Sequence, residues 1–294
     1  MASGVPAFAG LVLATSPILA DIQIIDGFAV DRTEVTVGAF REFVEATGYV
    51  TAAEKLGGGL VYAAGWEQKA GWIWSAPFGS PAHPDEPAVH VTFDDAAAYC
   101  AWAGKRLPTD KEWEKAAFTE LRQDPPSPFQ SGVTYTYPTG DTPEGANCLN
   151  DCGPTPAIDY RYRLDRGIGP ALALTTKAGV NGLYDMGANV WEWTEDGGAR
   201  EKRTRGGSWW YGAFRMKAND RARKPRDMAV VYIGFRSASD ADDAAHLTQG
   251  RRVSAIGSLP DFAATASERR QNGIKRASNY PDIDSIIPLF VLGN

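Results

Sequence analysis

The sequence predicts an α+β fold in which short helices and strands are separated by many turns. Its 294 residues include 31 Gly and 19 Pro, and both residue types interrupt regular structure. Nine Trp and a 44% share of hydrophobic residues provide large side chains for a core. The length allows one large domain or two of ordinary size.

The first elements are a strand and a capped helix. Residues 22–30 alternate between apolar and polar types and end in Phe28-Ala29-Val30, as a strand does. A helix is predicted from Val37, with Thr36 as its N-cap and Gly48 as its stop.

Two further helices carry their own start signals. Thr92 precedes an apolar run whose first turn holds Asp94 and Asp95, and Gly104 follows its end. Thr109 and Glu112 form a capping-box pattern immediately before Trp113. These helices are interpreted as scaffold.

Two long segments lack a helix or strand period. Residues 56–84 are rich in Gly, Trp and Pro and are interpreted as a long ordered loop, whose Trp66, Trp72 and Trp74 either line a ligand groove or pack the loop onto the core. Residues 123–156 form a second connection rich in turn residues.

The two ends of the chain differ from its centre. The first twenty residues are apolar, but no Lys or Arg precedes Arg32, which favours a structural segment over an export signal. The apolar runs are too short to span a bilayer. We predict a domain over residues 1–236 and an extension over 237–294 packed on it, with a short helix near 262–271 and an apolar run at 286–291.

The charge balance argues against nucleic acid as a partner. There are 30 Lys and Arg against 36 Asp and Glu, a net charge of -6. One basic cluster consists of Arg221, Arg223, Lys224 and Arg226. It is either a solvated face or a local anion site.

Three cysteines are too few for a disulfide framework. Cys148 and Cys152 are separated by three residues and can close a small loop in an oxidising compartment. Cys100 lies in an apolar helical run and is expected to be buried.

The most informative stretch of the chain runs over residues 181–194 and 205–210. It places Trp191, Trp193, Trp209 and Trp210 beside small residues and the isolated carboxylates Asp185 and Glu192. This combination predicts a core anchor together with a cation site built from oxygen ligands.

The run GLYDMGANVWEWT, followed by RGGSWW and VYIGFR, resembles the sulfatase-modifying-factor family, to which the formylglycine-generating enzymes belong. The segment AWAGKRLPTDKEWEKAA is also similar to that family. Matching segments run from about Phe28 to Arg236. The resemblance implies a C-type-lectin-like α+β fold with little regular secondary structure.

The resemblance also implies calcium, in two sites. The first comprises Asp185, the carbonyls of Ala188 and Val190, and Glu192. The second comprises Asn147, the carbonyl of Cys148, Asp165 and the carbonyl of Gly167. The alternative is that these carboxylates cap turns without a metal.

The catalytic cysteines of formylglycine-generating enzymes have no counterpart in the matching segment. Those enzymes bind copper(I) through two cysteines shortly after the Arg-Gly-Gly-Ser motif, where this chain has Tyr211 and Met216. An iron site is not evident either, because His83, His90 and His246 are far apart and are interpreted as structural.

A ligand cleft is implied by the segment that forms the substrate cleft in relatives. Its aromatic faces and paired charges suit an aromatic or peptide-like ligand. Trp209, Trp210, Asp220 and Arg221 are the predicted ligand-binding residues, and Tyr211 and Arg215 the predicted catalytic ones. The alternative assigns the two tryptophans to the core and the charges to rim salt bridges.

The leading functional hypothesis is a PvdO-type protein, which the family associates with oxidative maturation of a peptide siderophore chromophore in the periplasm. The chain is then a monomer with a small-molecule or peptide-like ligand. The alternative is a non-catalytic binding protein on the lectin-like scaffold, including proteins diversified by retroelements. A regulatory or structural paralogue of a lost enzyme is the third hypothesis.

Overall fold

The computed structural model describes residues 22–165 and 167–243, in which short helices and strands are joined by long loops. The helices are α1 (Val37–Thr47), α2 (Ala52–Leu56), α3 (Phe93–Trp102), α4 (Asp110–Phe118) and α5 (Arg161–Leu164). The strands are β1 (Ile22–Ile24), β2 (Phe28–Asp31), β3 (Leu60–Tyr62), β4 (Trp66–Gln68), β5 (Trp191–Gly197), β6 (Glu201–Arg205), β7 (Ala222–Pro225), β8 (Ile233–Gly234) and β9 (Ala238–Asp240). This is the predicted α+β class.

The three predicted helices start at the residues that the sequence indicates. Thr36, Thr92 and Thr109 are the N-caps of α1, α3 and α4, and each threonine side chain accepts a backbone N–H of the first turn. The capping boxes at α3 and α4 are complete. Gly48 ends α1 in the left-handed conformation, with φ 68°.

The predicted first strand is two strands. Gly27 takes φ 77° and turns the chain, so that β1 and β2 pair as an antiparallel hairpin. On its other side β2 pairs with β9. Strand β9 belongs to the predicted extension that begins at residue 237, so the start of this extension is part of the same sheet as β2. The segments predicted at 262–271 and 286–291, and the first twenty residues, lie outside the described residues.

The predicted loop at 56–84 contains a hairpin of β3 and β4, which the sequence did not reveal because each strand has only three residues. Trp72 and Trp74 are buried in the main core. Trp66 packs edge-on against Tyr62, with ring centroids 5.3 Å apart. Trp72 and Trp74 thus fix the loop onto the core, the second of the two interpretations.

A four-stranded sheet of order β7-β6-β5-β8 organises the centre of the molecule. Its strand β5 carries the buried residues Trp191, Glu192 and Trp193, and α4 packs against it. Among the described residues, none of the helices has the length and apolar character that crossing a bilayer requires.

Candidate functional site

An ion pair lies fully buried between β5 and the chain after β8. Arg236 donates from Nη2 to Glu192 Oε1 at 2.7 Å and from Nε to Oε2 at 2.8 Å. Trp113, on α4, donates its indole N–H to the same Oε2 at 2.8 Å. Both charged side chains have no exposed area, so the pair stands in a water-excluded setting.

Two further carboxylates accompany this pair, and we call Glu34, Asp185 and Glu192 the buried carboxylate cluster. Glu34 accepts from Asn189 Nδ2 at 2.6 Å and from the Val190 N–H at 3.2 Å. Burial, with the negative charges of Asp185 and Glu192, raises the pKa of Glu34 well above its usual value. Arg236 supplies one positive charge for three carboxyl groups, so the cluster requires bound protons or a cation.

Asp185 is the member of this cluster without hydrogen-bond partners. Both of its carboxyl oxygens are buried and unpaired among the described residues, as is the hydroxyl of Thr176. Both residues line a void of about 10 Å³, which is close to the room that one water molecule or ion needs. Burial raises the pKa of Asp185 to about 7. The neighbouring Thr176 hydroxyl, which lies outside good hydrogen-bond geometry, and the charge of Arg236 oppose this rise, whereas the charge of Glu192 adds to it.

The turn that holds Asp185 has an unusual backbone. Asp185, Ala188 and Asn189 take φ of 57°, 65° and 50°, in the left-handed region that favours glycine. Ala188 thus takes a backbone angle that residues other than glycine rarely adopt. Such conformations persist where the surroundings hold them, and they concentrate at functional sites.

The residues of the second predicted calcium site are differently placed. Asn147 is buried, and its Nδ2 donates to Asn189 Oδ1 and the Gly169 carbonyl. Its Oδ1 accepts from Thr155. Asp165 is exposed and ends α5 in the left-handed conformation. In the described part of the chain no hydrogen bond joins Asn147 to Asp165.

The other two members of that second site lie on turns. Cys148 is disulfide-bonded to Cys152, and Gly167 takes φ 99°. Within residues 22–165 and 167–243, no three His, Cys, Asp or Glu side chains are grouped as ligands for one metal ion.

A cavity of about 210 Å³ lies beside β7. We call it the basic cavity. It is lined by Trp191, Tyr211, Arg215, Asp220, Arg221, Ala222, Arg223 and Lys224. Four of these residues, Tyr211, Arg215, Asp220 and Arg221, are candidates that the sequence predicts.

The charges of the basic cavity are held by specific contacts. Arg215 Nη1 lies 3.3 Å from Asp220 Oδ2, and Arg221 Nη2 donates to Glu114 Oε2 at 2.6 Å. Burial raises the pKa of Asp220, whereas the neighbouring cation of Arg215 opposes that rise. The ammonium group of Lys224 lies 5.7 Å from the centre of the Trp191 ring.

Two residues of the cavity wall have a buried N–H group without a hydrogen-bond partner among the described residues. They are the indole Nε1 of Trp191 and the guanidinium Nε of Arg215. Buried donors are almost always paired in folded proteins. The same wall offers the phenol ring of Tyr211, which lies 5.9 Å from the Trp191 ring and 5.5 Å from the Arg215 guanidinium carbon.

The structure places the other two predicted ligand-binding residues, Trp209 and Trp210, in the main hydrophobic core. Their side chains are almost fully buried, and neither lines the basic cavity. Trp191, Arg223 and Lys224 line it instead. Arg223 and Lys224 belong to the basic cluster seen in the sequence, whereas Trp191 could be placed only once the pairing of β5, β6 and β7 was known.

The disulfide of Cys148 and Cys152 packs against the segment that carries Tyr211 and Met216. Cys152 Sγ lies 3.8 Å from Met216 Sδ, and the Leu149 N–H donates to the Tyr211 carbonyl at 3.0 Å. The segment that carries Tyr211 and Met216 contains no cysteine of its own. In the folded chain, however, the Cys148–Cys152 pair packs against it. A separation of 64 residues hid that contact.

The two histidines within the described residues, His83 and His90, have ordinary protein groups as neighbours. His90 is buried, with Nε2 3.0 Å from the Pro77 carbonyl, and burial lowers its pKa to about 4. His83 lies exposed beside Asp85, and His246 is outside the described residues. Cys100 is buried, as predicted.

Comparison with known proteins identifies the family to which this chain belongs. Residues 15–241 match the sulfatase-modifying factor enzyme 1-like domain family. The formylglycine-generating enzyme of Thermomonospora curvata is 36% identical over 193 residues, which cover 58% of this chain and 59% of that protein. The chain thus spans less than two thirds of that relative.

Another relative differs in its described activity. The mouse protein "Inactive C-alpha-formylglycine-generating enzyme 2" is 34% identical over 244 residues, covering 73% of this chain and 75% of that protein. Among solved structures, PvdO from Pseudomonas aeruginosa aligns with a TM-score of 0.49 and 20% identity, over 72% of this chain and 80% of that one. The relatives therefore include active and inactive proteins.

Proposed function

Because the chain belongs to the sulfatase-modifying factor enzyme 1-like family, with its C-type-lectin-like α+β fold, we propose that it binds a peptide-like ligand in the basic cavity and modifies it oxidatively. The activity proposed is the PvdO-type maturation of a peptide or siderophore chromophore. A structural calcium ion supports the fold beside this site.

The composition of the cavity wall is the observation that carries the proposal. Trp191 and Tyr211 offer aromatic faces. Arg215 and Asp220 offer a cation and an anion, with Arg215 Nη1 3.3 Å from Asp220 Oδ2. The charged groups of Arg215 and Asp220 can pair with the carbonyl and N–H groups of a ligand backbone. A peptide supplies all of the complementary groups, which a simple sugar or a hydrocarbon does not.

The oxidative part of the proposal rests on the rings around Tyr211. The Tyr211 ring lies 5.9 Å from the Trp191 ring and 5.8 Å from the Tyr232 ring. Its phenol can give up a proton and an electron together. In the proposed reaction the ligand loses two hydrogens and dioxygen accepts them as hydrogen peroxide, which balances the electrons.

Calcium is proposed at the first of the two predicted sites. Asp185 contributes two unpaired carboxyl oxygens beside a void of suitable size, and the buried carboxylate cluster has more negative charge than Arg236 neutralises. Glu192 is already bound by Arg236 and Trp113, so we assign it a smaller share of the ion than Asp185. The carbonyls of Ala188 and Val190 complete the proposed ligands.

For the second predicted site the fit is weaker, since Asn147 Oδ1 accepts from Thr155 and Asp165 lies at the surface. We retain Asn147, Asp165 and the carbonyls of Cys148 and Gly167 as a proposal for a weaker calcium site. A calcium titration that finds a single equivalent would remove it.

The experiment that tests the proposed function uses a capped tripeptide, acetyl-Leu-Glu-Tyr-amide, as probe. Quenching of tryptophan fluorescence measures binding, and mass spectrometry with an oxygen electrode measures loss of two hydrogens and uptake of dioxygen. Binding with oxidation is the expected result. Binding without oxidation would favour the non-catalytic alternative, and absence of binding at millimolar peptide would contradict the proposal.

We further propose that the chain is not a copper-dependent formylglycine-generating enzyme, since positions 211 and 216 hold Tyr and Met. Metal analysis of protein purified without added metals tests this point. Calcium without stoichiometric copper is expected. One equivalent of copper, lost from a Cys148→Ser/Cys152→Ser variant, would assign the cysteine pair beside Met216 to copper and contradict the proposal.

A further inference from the structure

Arg205, the last residue of β6, is an arginine whose side chain has no exposed area. It lies directly opposite Glu192 in the pairing of β5 with β6, so these two side chains share one face of the sheet. Side chains alternate between the two faces along a strand, so Trp191 of the basic cavity lies on the other face. The sheet therefore stands between the Arg205 side chain and the Trp191 ring.

The guanidinium group of Arg205 binds the chain immediately before β7. Its Nη1 donates to the carbonyl of Ala218 at 2.8 Å and to that of Asp220 at 2.9 Å. Asp220 lines the basic cavity, where its Oδ2 lies 3.3 Å from Arg215 Nη1. Arg205 does not line the cavity itself, but it holds the backbone of a residue that does.

A further contact of Arg205 fixes the residue after Asp220. Arg205 Nη2 donates to Glu114 Oε2 at 2.8 Å, and Arg221 Nη2 donates to the same oxygen at 2.6 Å. Hydrogen bonds between ionised groups are roughly twice as strong as neutral ones. The chain is thus held on both sides of Asp220, directly by Arg205 and indirectly through Glu114.

Arg205 is in turn fixed by the core. Its guanidinium carbon lies 5.1 Å from the centre of the Trp113 ring, whose indole N–H donates to Glu192. A Cβ built on Gly206 would lie 3.3 Å from Trp113 Cζ2, so the chain after Arg205 packs closely against the same ring. The planar fork of an arginine presents donors to several acceptors at fixed positions, whereas the ammonium group of a lysine is a single point.

We infer that Arg205 is a positioning residue of the basic cavity, which keeps Asp220 beside Arg215 without touching the ligand. Loss of its bonds frees the carbonyls of Ala218 and Asp220, and the Asp220 carboxylate then leaves its place beside Arg215. This role rests on the proposed function, because Asp220 has a ligand to meet only if the cavity binds one.

Amide hydrogen exchange of an Arg205→Lys variant, followed by mass spectrometry, tests the positioning without any ligand. We expect faster exchange over residues 217–221, because the bonds that fix this segment are lost. Arg203→Lys is the matched control and should leave that exchange unchanged. Arg203 also lies on β6, and among the described residues its side chain donates only to Asp110, at 2.7 Å. Wild-type exchange over residues 217–221 in Arg205→Lys would contradict the inference.

Glu114→Gln is a second variant, which decides the question if Arg205→Lys does not fold. The Glu114 side chain is 35% exposed, and its replacement removes the charge that Arg205 and Arg221 share. Exchange over residues 217–221 should again become faster. Unchanged exchange in this variant would show that Glu114 does not link Arg205 to the cavity wall.

A double-mutant cycle in peptide binding shows whether Arg205 acts through Asp220. Calorimetry with acetyl-Leu-Glu-Tyr-amide measures the affinity of the wild type, Arg205→Lys, Asp220→Asn and the double variant. We expect Arg205→Lys to weaken binding about tenfold when position 220 is Asp and less than about twofold when it is Asn, because residues of one network are not additive. A general loss of stability would weaken binding equally in both backgrounds, and that result would contradict the role through Asp220.

The outcomes separate this inference from the proposed function. If the wild type binds no peptide, the proposed function fails, while exchange over residues 217–221 still decides whether Arg205 fixes the segment of Asp220. If the wild type and Arg205→Lys bind the peptide equally, the cavity remains a peptide site and the positioning role is wrong.

Discussion

Arg236 and Glu192 form a two-point ion pair that is completely shielded from solvent, with N–O distances of 2.7 and 2.8 Å. Arg236 also donates to the carbonyls of Asp31 and Tyr184, so one side chain joins β2, β5 and the turn before Asp185. The pair therefore connects the first sheet, the central sheet and the proposed calcium turn.

Replacing Arg236 by Met should lower the free energy of unfolding by about 3–5 kcal/mol, because Glu192 would remain buried without its cation. Urea denaturation measures the change. The double variant Arg236→Met/Glu192→Leu should recover part of the loss. A single-variant loss below about 1 kcal/mol, the value of an exposed pair, would contradict this account of the core.

Trp113→Phe should cost about 1–3 kcal/mol beyond the change in packing, because Glu192 Oε2 loses the indole donor. Trp209→Phe is the matched control. The Trp209 ring is equally buried, but its Nε1 has no hydrogen-bond partner in the described structure. Equal unfolding free energies for the two variants would show that the Trp113 hydrogen bond contributes nothing.

Asp185 should make the calcium-free protein less stable as pH rises. Its folded pKa is raised from 3.8 to about 7, so the folded state holds its proton more tightly than the unfolded state does. Stability from this group is present below about pH 4 and is lost as pH rises toward about pH 7. Thermal unfolding in a chelator should show that decline, and Asp185→Asn should reduce it.

Calcium should reverse the same decline, since the ion replaces the proton on Asp185. Added calcium is expected to raise the unfolding temperature of the wild type more at about pH 8 than at about pH 5, and to affect Asp185→Asn little. An equal calcium response in wild type and variant would show that the ion binds elsewhere.

Thiol counting tests the disulfide and the single free cysteine of the described residues. Cys100 is buried, and burial raises its thiol pKa to about 12. The native protein should therefore react with no thiol reagent, and the unfolded, unreduced protein should show one thiol. Three thiols after unfolding would mean that Cys148 and Cys152 are reduced.

Reduction of the Cys148–Cys152 disulfide should lower the free energy of unfolding by about 2 kcal/mol, because a disulfide that closes a short loop restricts the unfolded chain only a little.

Local signals explain what the sequence predicted about this fold. Thr36, Thr92 and Thr109 act within their own first turns, so the starts of α1, α3 and α4 follow from neighbouring residues. The three-residue strands β3 and β4 are too short to show a period, and they went unnoticed. The break at Gly27 depends on pairing between β1 and β2.

The site was only partly predictable for the same reason. Tyr211, Arg215, Asp220 and Arg221 lie close in sequence and also share the basic cavity. Trp191 reaches that cavity through the β5–β6–β7 pairing, and the Cys152–Met216 contact joins segments 64 residues apart. For Trp209 and Trp210 the prediction of a ligand-binding role was wrong, because both side chains belong to the core. An aromatic residue in a segment that borders a cleft can face either the cleft or the core, and the sequence does not distinguish the two.

A crystal structure of the protein with acetyl-Leu-Glu-Tyr-amide tests the central claim most directly. We predict peptide density in the basic cavity, against the Trp191 and Tyr211 rings, with a ligand oxygen within hydrogen-bond distance of the Arg215 guanidinium group. Ordered peptide on another face, with the cavity empty at saturating peptide, would contradict the account.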